Sequence, residues 1–275
     1  MTAPGWDRDA LARSPWFASV RRLLERLPAD RFPDLDDLNP LALERSVRSG
    51  GGALLAFVPP AAGPGTAARD YEERIFRTGE VTTRPGSWHD LFNALAWLAF
   101  PRTKAVLNRL HHDELARRGD GPVRGTARDV ATLFDEGGIV VACAAPELAR
   151  LLAGFEWRRL FWERRAEVAR AMRFFVFGHA ILERALAPFK GVTAKALVVH
   201  VAGDRLDDVA LVDRLDAAAS GHFARPASLA STHALQPLPV LGIPGWAPGN
   251  EDPAFYDDAA VFRAGRTRAR KEQAP

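Results

Sequence analysis

The stretch Trp88–Ala99 (WHDLFNALAWLA) places the strongest condition on the fold. Trp88, Leu91, Phe92, Leu95, Trp97 and Leu98 fall almost all round the circumference of a helix, which leaves no broad polar face. Such a helix must be wrapped by the rest of the chain. At 275 residues and 47% hydrophobic content the chain can do this without a metal or disulfide to hold its core. Cys143 is the single cysteine, so an intramolecular disulfide is excluded.

Around this helix the periodicity predicts an amphipathic helix over Trp16–Leu27 and a short helix over Asn39–Val47, capped by Asn39 with Pro40 as its first residue. Another short helix is expected over Tyr71–Thr78. Phe100–Pro101 breaks the central helix from a second one over Pro101–Leu115, because a residue before proline is pushed out of the helical region. Residues 131–143 (ATLFDEGGIVVAC) read as a hairpin turning at Glu-Gly-Gly, and Phe155–Leu186 as one long helical region. Lys195–Val201 is a strand candidate and Asp207–Ala219 a helix. Beyond Arg225, prolines at 226, 237, 239, 244, 248 and 253 permit only short elements. The expected fold class is α+β: a single, mainly helical domain with a few short strands and a proline-rich C-terminal wrap. Residues 1–14 form a lead, 15–262 the globular domain and 263–275 a basic tail expected to be disordered.

The net charge of +3 is local. Arg263, Arg266, Arg268, Arg270 and Lys271 face Glu272 alone in the tail, leaving one net negative charge on residues 1–262. Nucleic acid is therefore not the expected partner. Phe174–Leu182, the longest apolar stretch, falls well short of the ~20 residues needed to span a bilayer. With no signal pattern at the N-terminus, the expected location is the cytoplasm, and no membrane association is expected.

There is no G-x-S-x-G nucleophile elbow, no phosphate loop, no G-x-G-x-x-G and no H-E-x-x-H, so no nucleotide-cofactor motif is present. Chemistry must come from polar residues on apolar elements. In the central helix these are His89, Asp90 and Asn93, with His89 and Asn93 on one face. Asp90 has a structural alternative, since Ser87 three residues before it makes a capping-box pattern. Lys104, Asn108 and His111 lie along one line of the next helix, and His111 shares the side of Leu107 and Leu110. Arg102 and Lys104 occupy its first turn, where cations oppose the helix dipole and could hold a carboxylate or phosphate. Asp135 and Glu136 are adjacent carboxylates, with an ordinary turn as their alternative. His179 and Glu183 are four residues apart, a spacing that suits one shared metal or an acid–base pair, against a hydrogen-bonded core histidine.

The runs TGEVTTRPGSWHDLFNALAWLAFPRTKAVLNRLH, TLFDEGG, FGHAILE and LPVLGIPGWAPGNEDPAFYDDAAVFR resemble a bacterial family of unknown function, DUF3025, from about residue 15 to 263. The resemblance implies a single-domain proteobacterial protein and brings no activity, cofactor or catalytic residue with it.

The leading reading is a metal-dependent enzyme, a hydrolase acting on a small anionic substrate. His89, His179 and Glu183, with Asp90 or Asp135, would hold a divalent transition metal (Zn, Mn or Fe). Arg102 and Lys104 would hold the substrate anion, and Glu136 or His111 would move protons, with Asn93 and Asn108 completing the catalytic set. The same residues would also serve metal-free acid–base chemistry. A non-enzymatic small-molecule or partner-binding protein is the alternative, with aromatic-rich segments such as Trp157–Trp162 as contact surface. A third reading is a metal-dependent nuclease: His89, Asn108 and His111 or His112 are faintly similar to the ββα-metal nucleases, whose first histidine ends a strand and does not lie in a helix.

Overall fold

A computed structural model describes residues 5–61, 68–118, 126–202, 208–232, 235–263 and 265. The chain opens with α1 (Arg8–Arg13), a 3-10 turn at Pro15–Phe17, α2 (Arg21–Leu24) and α3 (Leu35–Glu44). The helix expected over Trp16–Leu27 is thus two short pieces. The turn between them lets Ser19 Oγ donate to Val176 O at 2.6 Å, tying the N-terminal segment to the sheet. α3 begins earlier than expected because Asp34 and Asp37 form a reciprocal capping box. Asn39 is not a cap. It pairs with both backbone groups of Phe57, donating to O at 3.0 Å and accepting from N at 2.8 Å, while Pro40 lies inside the helix.

Next, β1 (Ala56–Val58), α4 (Ala68–Thr78) and β2 (Glu80–Thr82) make a small parallel pair, with Phe57 opposite Val81. Ser87 Oγ accepts from Asp90 N and starts α5 (Trp88–Ala99). Every residue of α5 except His89 is buried, as the all-round apolar pattern requires. Phe100 leaves helical geometry and α6 (Pro101–Arg118) follows. The open N-terminus of α6 is capped in trans by a carboxylate from a later helix. Asp216 accepts from Arg102 N at 3.0 Å and from Thr103 N at 2.8 Å.

Residues 131–143 form no hairpin. α7 (Thr126–Gly137) runs through Asp135 and Glu136 and passes directly into β3 (Gly138–Cys143). Val130, Ala131 and Phe134 are the buried residues of α7, and their helical spacing outweighs the turn signal of the glycines. After α8 (Pro146–Ala153), Phe155–Leu186 is not one helix. It divides into a π turn (Arg159–Glu163), α9 (Arg165–Ala171), β4 (Met172–Val176) and α10 (His179–Arg184). The run Met-Arg-Phe-Phe-Val is aromatic and β-branched, and pairing with β3 makes it a strand. β5 (Thr193–His200), α11 (Asp208–Phe223) and β6 (Gln236–Pro239) complete the regular elements.

The larger sheet has the order β4-β3-β5-β6. β3 runs parallel to β5 and antiparallel to β4, and β6 is an antiparallel edge strand, where prolines are tolerated. All six residues of β3 are buried, as an unbroken apolar run demands. The buried apolar residues form one continuous cluster from Leu11 to Phe262. The C-terminal wrap joins it through Leu238, Val240, Leu241 and Ile243, and the buried Asn250 fastens the wrap by donating to Leu241 O and Ile243 O. The fold is therefore mainly helical α+β. No described helix is long and apolar enough to cross a membrane. The tail is outside the described residues apart from Arg263 and Gly265.

Candidate metal centre

The antiparallel register of β3 and β4 pairs Ile139 with Val176. Three residues before Ile139 is Glu136, at the end of α7, and three after Val176 is His179, the first residue of α10. One edge of the sheet thus brings the two together. The junction is tight: Phe177 N and Gly178 N both donate to Gly138 O, at 3.0 and 2.9 Å. A Cβ on residue 178 would lie 2.5 Å from Gly138 N and closer still to Glu136 O, so only glycine fits. α5 packs against α10 and adds His89 from its first turn.

His89, Glu136 and His179 each offer one ligand atom within 4.8 Å of the others. His179 Nε2 is 3.5 Å from Glu136 Oε2, and the two imidazole rings meet edge to face with centroids 4.6 Å apart. Two ligands on one tetrahedral ion with bonds of about 2.1 Å are separated by roughly 3.4 Å, so the nitrogen–oxygen spacing is that of a shared ion. His179 is buried, Glu136 exposed and His89 between the two, so the group opens toward solvent on one side. Burial holds the His179 imidazole down at about 4, keeping it in the neutral form that ligates metal. Burial, then the neighbouring Asp135, pushes the Glu136 carboxyl up.

Both histidines have a carboxylate beside Nδ1. Glu183 Oε2 is 3.0 Å from His89 Nδ1, and Asp135 Oδ2 is 3.8 Å from His179 Nδ1. Asp135 Oδ1 also accepts from Lys104 Nζ at 2.6 Å. Burial alone would raise the Asp135 carboxyl, but the charge of Lys104, with the hydrogen bond it donates, holds it below the usual range. Lys104 continues to Asn93 Oδ1 at 2.9 Å, and Asn93 Nδ2 donates to the Tyr71 hydroxyl at 3.1 Å.

Of the residues singled out in the sequence, His89 and His179 come together with Glu136, the residue assigned there to proton transfer. Glu183 and Asp135 stand behind the histidines instead of joining the group. Asp90 is engaged elsewhere: its carboxylate accepts from Arg84 N, Nε and Nη2, at 2.8, 2.8 and 2.9 Å. Lys104 is not an open anion site, being 5% exposed and paired with Asp135. Arg102 sits with Asp213 O and Asp216. Asn108 has a bracing role, accepting from Gly50 N and donating to Glu72. His111 is buried, with Nδ1 lacking a hydrogen-bond partner, and it is not among the three residues that come together. Cys143 is buried and bonded to Ala145 O, and burial raises its thiol. The position of Glu136 beside His179 was missed because residues 131–143 read as a hairpin. Continuing the Val130/Phe134 spacing to a terminal glycine would have placed both carboxylates on the last turn of a helix.

These features define a mainly helical α+β protein with a histidine–carboxylate cluster at one edge of a small mixed sheet. The chain belongs to DUF3025, a family described as proteins of unknown function, which it matches over residues 55–266. No curated protein and no solved structure matches the chain.

Proposed function

We propose that this protein is a metal-dependent enzyme, a hydrolase of small anionic substrates, in which His89, Glu136 and His179 hold one divalent transition ion. The convergence of these three side chains from α5, α7 and α10 carries the reading. Two imidazoles and one carboxylate suit Zn²⁺, Mn²⁺ or Fe²⁺. Three protein ligands leave at least one position for water, whose pKa a bound metal lowers toward neutrality. Glu136 serves the ion in this arrangement, in place of the proton-transfer role its sequence suggested. With Lys104 and Arg102 already paired, the ion itself is the charge that receives an anionic substrate oxygen.

Metal-free acid–base catalysis is the second reading, favoured by the raised carboxyl of Glu136 beside a neutral His179. Elemental analysis of untagged protein purified without chelator separates the two. The metal reading expects about one equivalent of a transition metal, lost in His89→Ala, Glu136→Gln and His179→Ala while the variants stay folded. A folded wild-type protein that takes up no Zn²⁺, Mn²⁺ or Fe²⁺ on titration would leave acid–base chemistry.

A further inference from the structure

Behind His179 lies a charged pair that the metal reading does not itself use. Asp135 and Lys104 both occupy electrostatically wrong helix ends. The carboxylate is in the last turn of α7 and the ammonium in the first turn of α6, where the macrodipole disfavours each. Local helix stability therefore does not explain them. Lys104 is held on three sides: by Asp135 at 2.6 Å, by Asn93 Oδ1 at 2.9 Å and by the Trp97 ring, 5.3 Å from its Nζ. Being buried, it has no route to a substrate.

We infer that Asp135 and Lys104 are a positioning pair for His179: Asp135 is the acceptor that fixes the imidazole with Nε2 toward the ion, and Lys104 holds that acceptor in place. The inference rests on the reading of His89, Glu136 and His179 as a metal centre. His179 is 4% exposed, yet its Nδ1 has no hydrogen-bond partner, and Asp135 Oδ2 faces it at 3.8 Å. A buried imidazole N–H needs an acceptor. Histidines that bind metal almost always direct their other nitrogen at a carboxylate or carbonyl. Glu183 already stands in that relation to His89 at 3.0 Å, whereas Asp135 is 3.8 Å from His179 and would close up on it once the ion fixes the ring.

Removing one member of a buried pair leaves the other charge stranded, so the test replaces both. Lys104→Met/Asp135→Leu removes the pair and the acceptor, and Lys104→Met/Asp135→Asn removes the charges but keeps an acceptor oxygen. Zn²⁺ affinity is measured by competition with a chromogenic chelator, the Co²⁺ absorption spectrum is recorded, and metal-free melting is followed for each. Both doubles strand the buried Asn93 Oδ1, so we expect each to melt below wild type by a similar margin while staying folded. The leucine double should bind Zn²⁺ about 10–100-fold more weakly with an altered Co²⁺ spectrum, and the asparagine double, whose acceptor Lys104 no longer holds, should recover part of that loss. If leucine overpacks and the protein fails to fold, Lys104→Met/Asp135→Ala takes its place with the same expectation. Equal Zn²⁺ affinities in wild type and both doubles would overturn the positioning role alone. Complete loss of binding in every folded double would make Asp135 a ligand and overturn it too. A wild-type protein that binds neither Zn²⁺ nor Co²⁺ removes the metal reading, and the inference with it.

Discussion

His89 Nδ1 and Glu183 Oε2 stand 3.0 Å apart, joining the one residue of α5 that is not buried to the last turn of α10. The bond occupies Nδ1, so Nε2 is the nitrogen that a bound ion would take. Glu183→Ala should therefore weaken Zn²⁺ binding about 10–100-fold without changing the one-to-one stoichiometry. Glu183→Gln, which keeps an acceptor oxygen, should cost less. Chelator competition measures both. An unchanged affinity in the alanine variant would mean that Glu183 is an ordinary surface partner.

Gly178 controls how closely His179 approaches Glu136. Gly178→Ala places a methyl group against Glu136 O and Gly138 N, backbone that cannot yield. The expected result is a loss of about 1–3 kcal/mol in stability, accompanied by loss of the metal. Gly221→Ala on α11 is the control, since nothing lies within 4 Å of the added carbon. That variant should melt at or slightly above the wild-type temperature.

Asp216 joins α11 to the start of α6 through two backbone N–H groups and the Thr103 hydroxyl, which donates to Oδ1 at 2.7 Å. Asp216→Ala strands the two backbone donors, one of them on buried Thr103, whose hydroxyl keeps Asp216 O at 3.1 Å. Chemical denaturation should show a loss of about 1–3 kcal/mol. A loss under 0.5 kcal/mol would mean that the end of α6 finds other acceptors.

Asp37 offers a pH signature away from the candidate site. Its hydrogen bonds to Arg31, with the backbone N–H of Asp34, hold its carboxyl below the usual range. A lowered native value means that the stabilisation is complete above the unfolded value near 3.9 and is lost as pH falls through the native one. Asp37→Asn should cost about 0.5–1 kcal/mol at pH 7, the scale of a helix-cap contribution. The gap to wild type should close as the pH drops below about 4. Parallel urea denaturation curves between pH 3 and 7 measure it.

The elements legible in the sequence are those whose information is local. The all-round apolar pattern of α5, the break at Phe100–Pro101 and the alternation-free strand over β5 follow from the periodicity of a few neighbouring residues. His89 and His179 stood out for the same reason, as polar residues on otherwise apolar elements. What escaped depends on pairing across the chain. β4 becomes a strand because β3 lies beside it, and Glu136 meets His179 only through the Ile139–Val176 register. Lys104 reads as a cation at a helix start until α7 supplies its carboxylate. Residue type and spacing marked nearly every member of the site, but which carboxylate stands beside which histidine is a tertiary fact.

The family match begins at residue 55, but the protein's interior does not. Trp16, Phe17, Val20, Leu24 and Leu38 are buried, Phe17 stacks on Phe92 of α5, and Trp16 donates to Trp246 O in the C-terminal wrap. A fragment trimmed to the matched boundaries would uncover one side of α5 and release the wrap from its anchor. Expression trials designed on 55–266 should yield insoluble material, and those that retain the preceding fifty-odd residues should not.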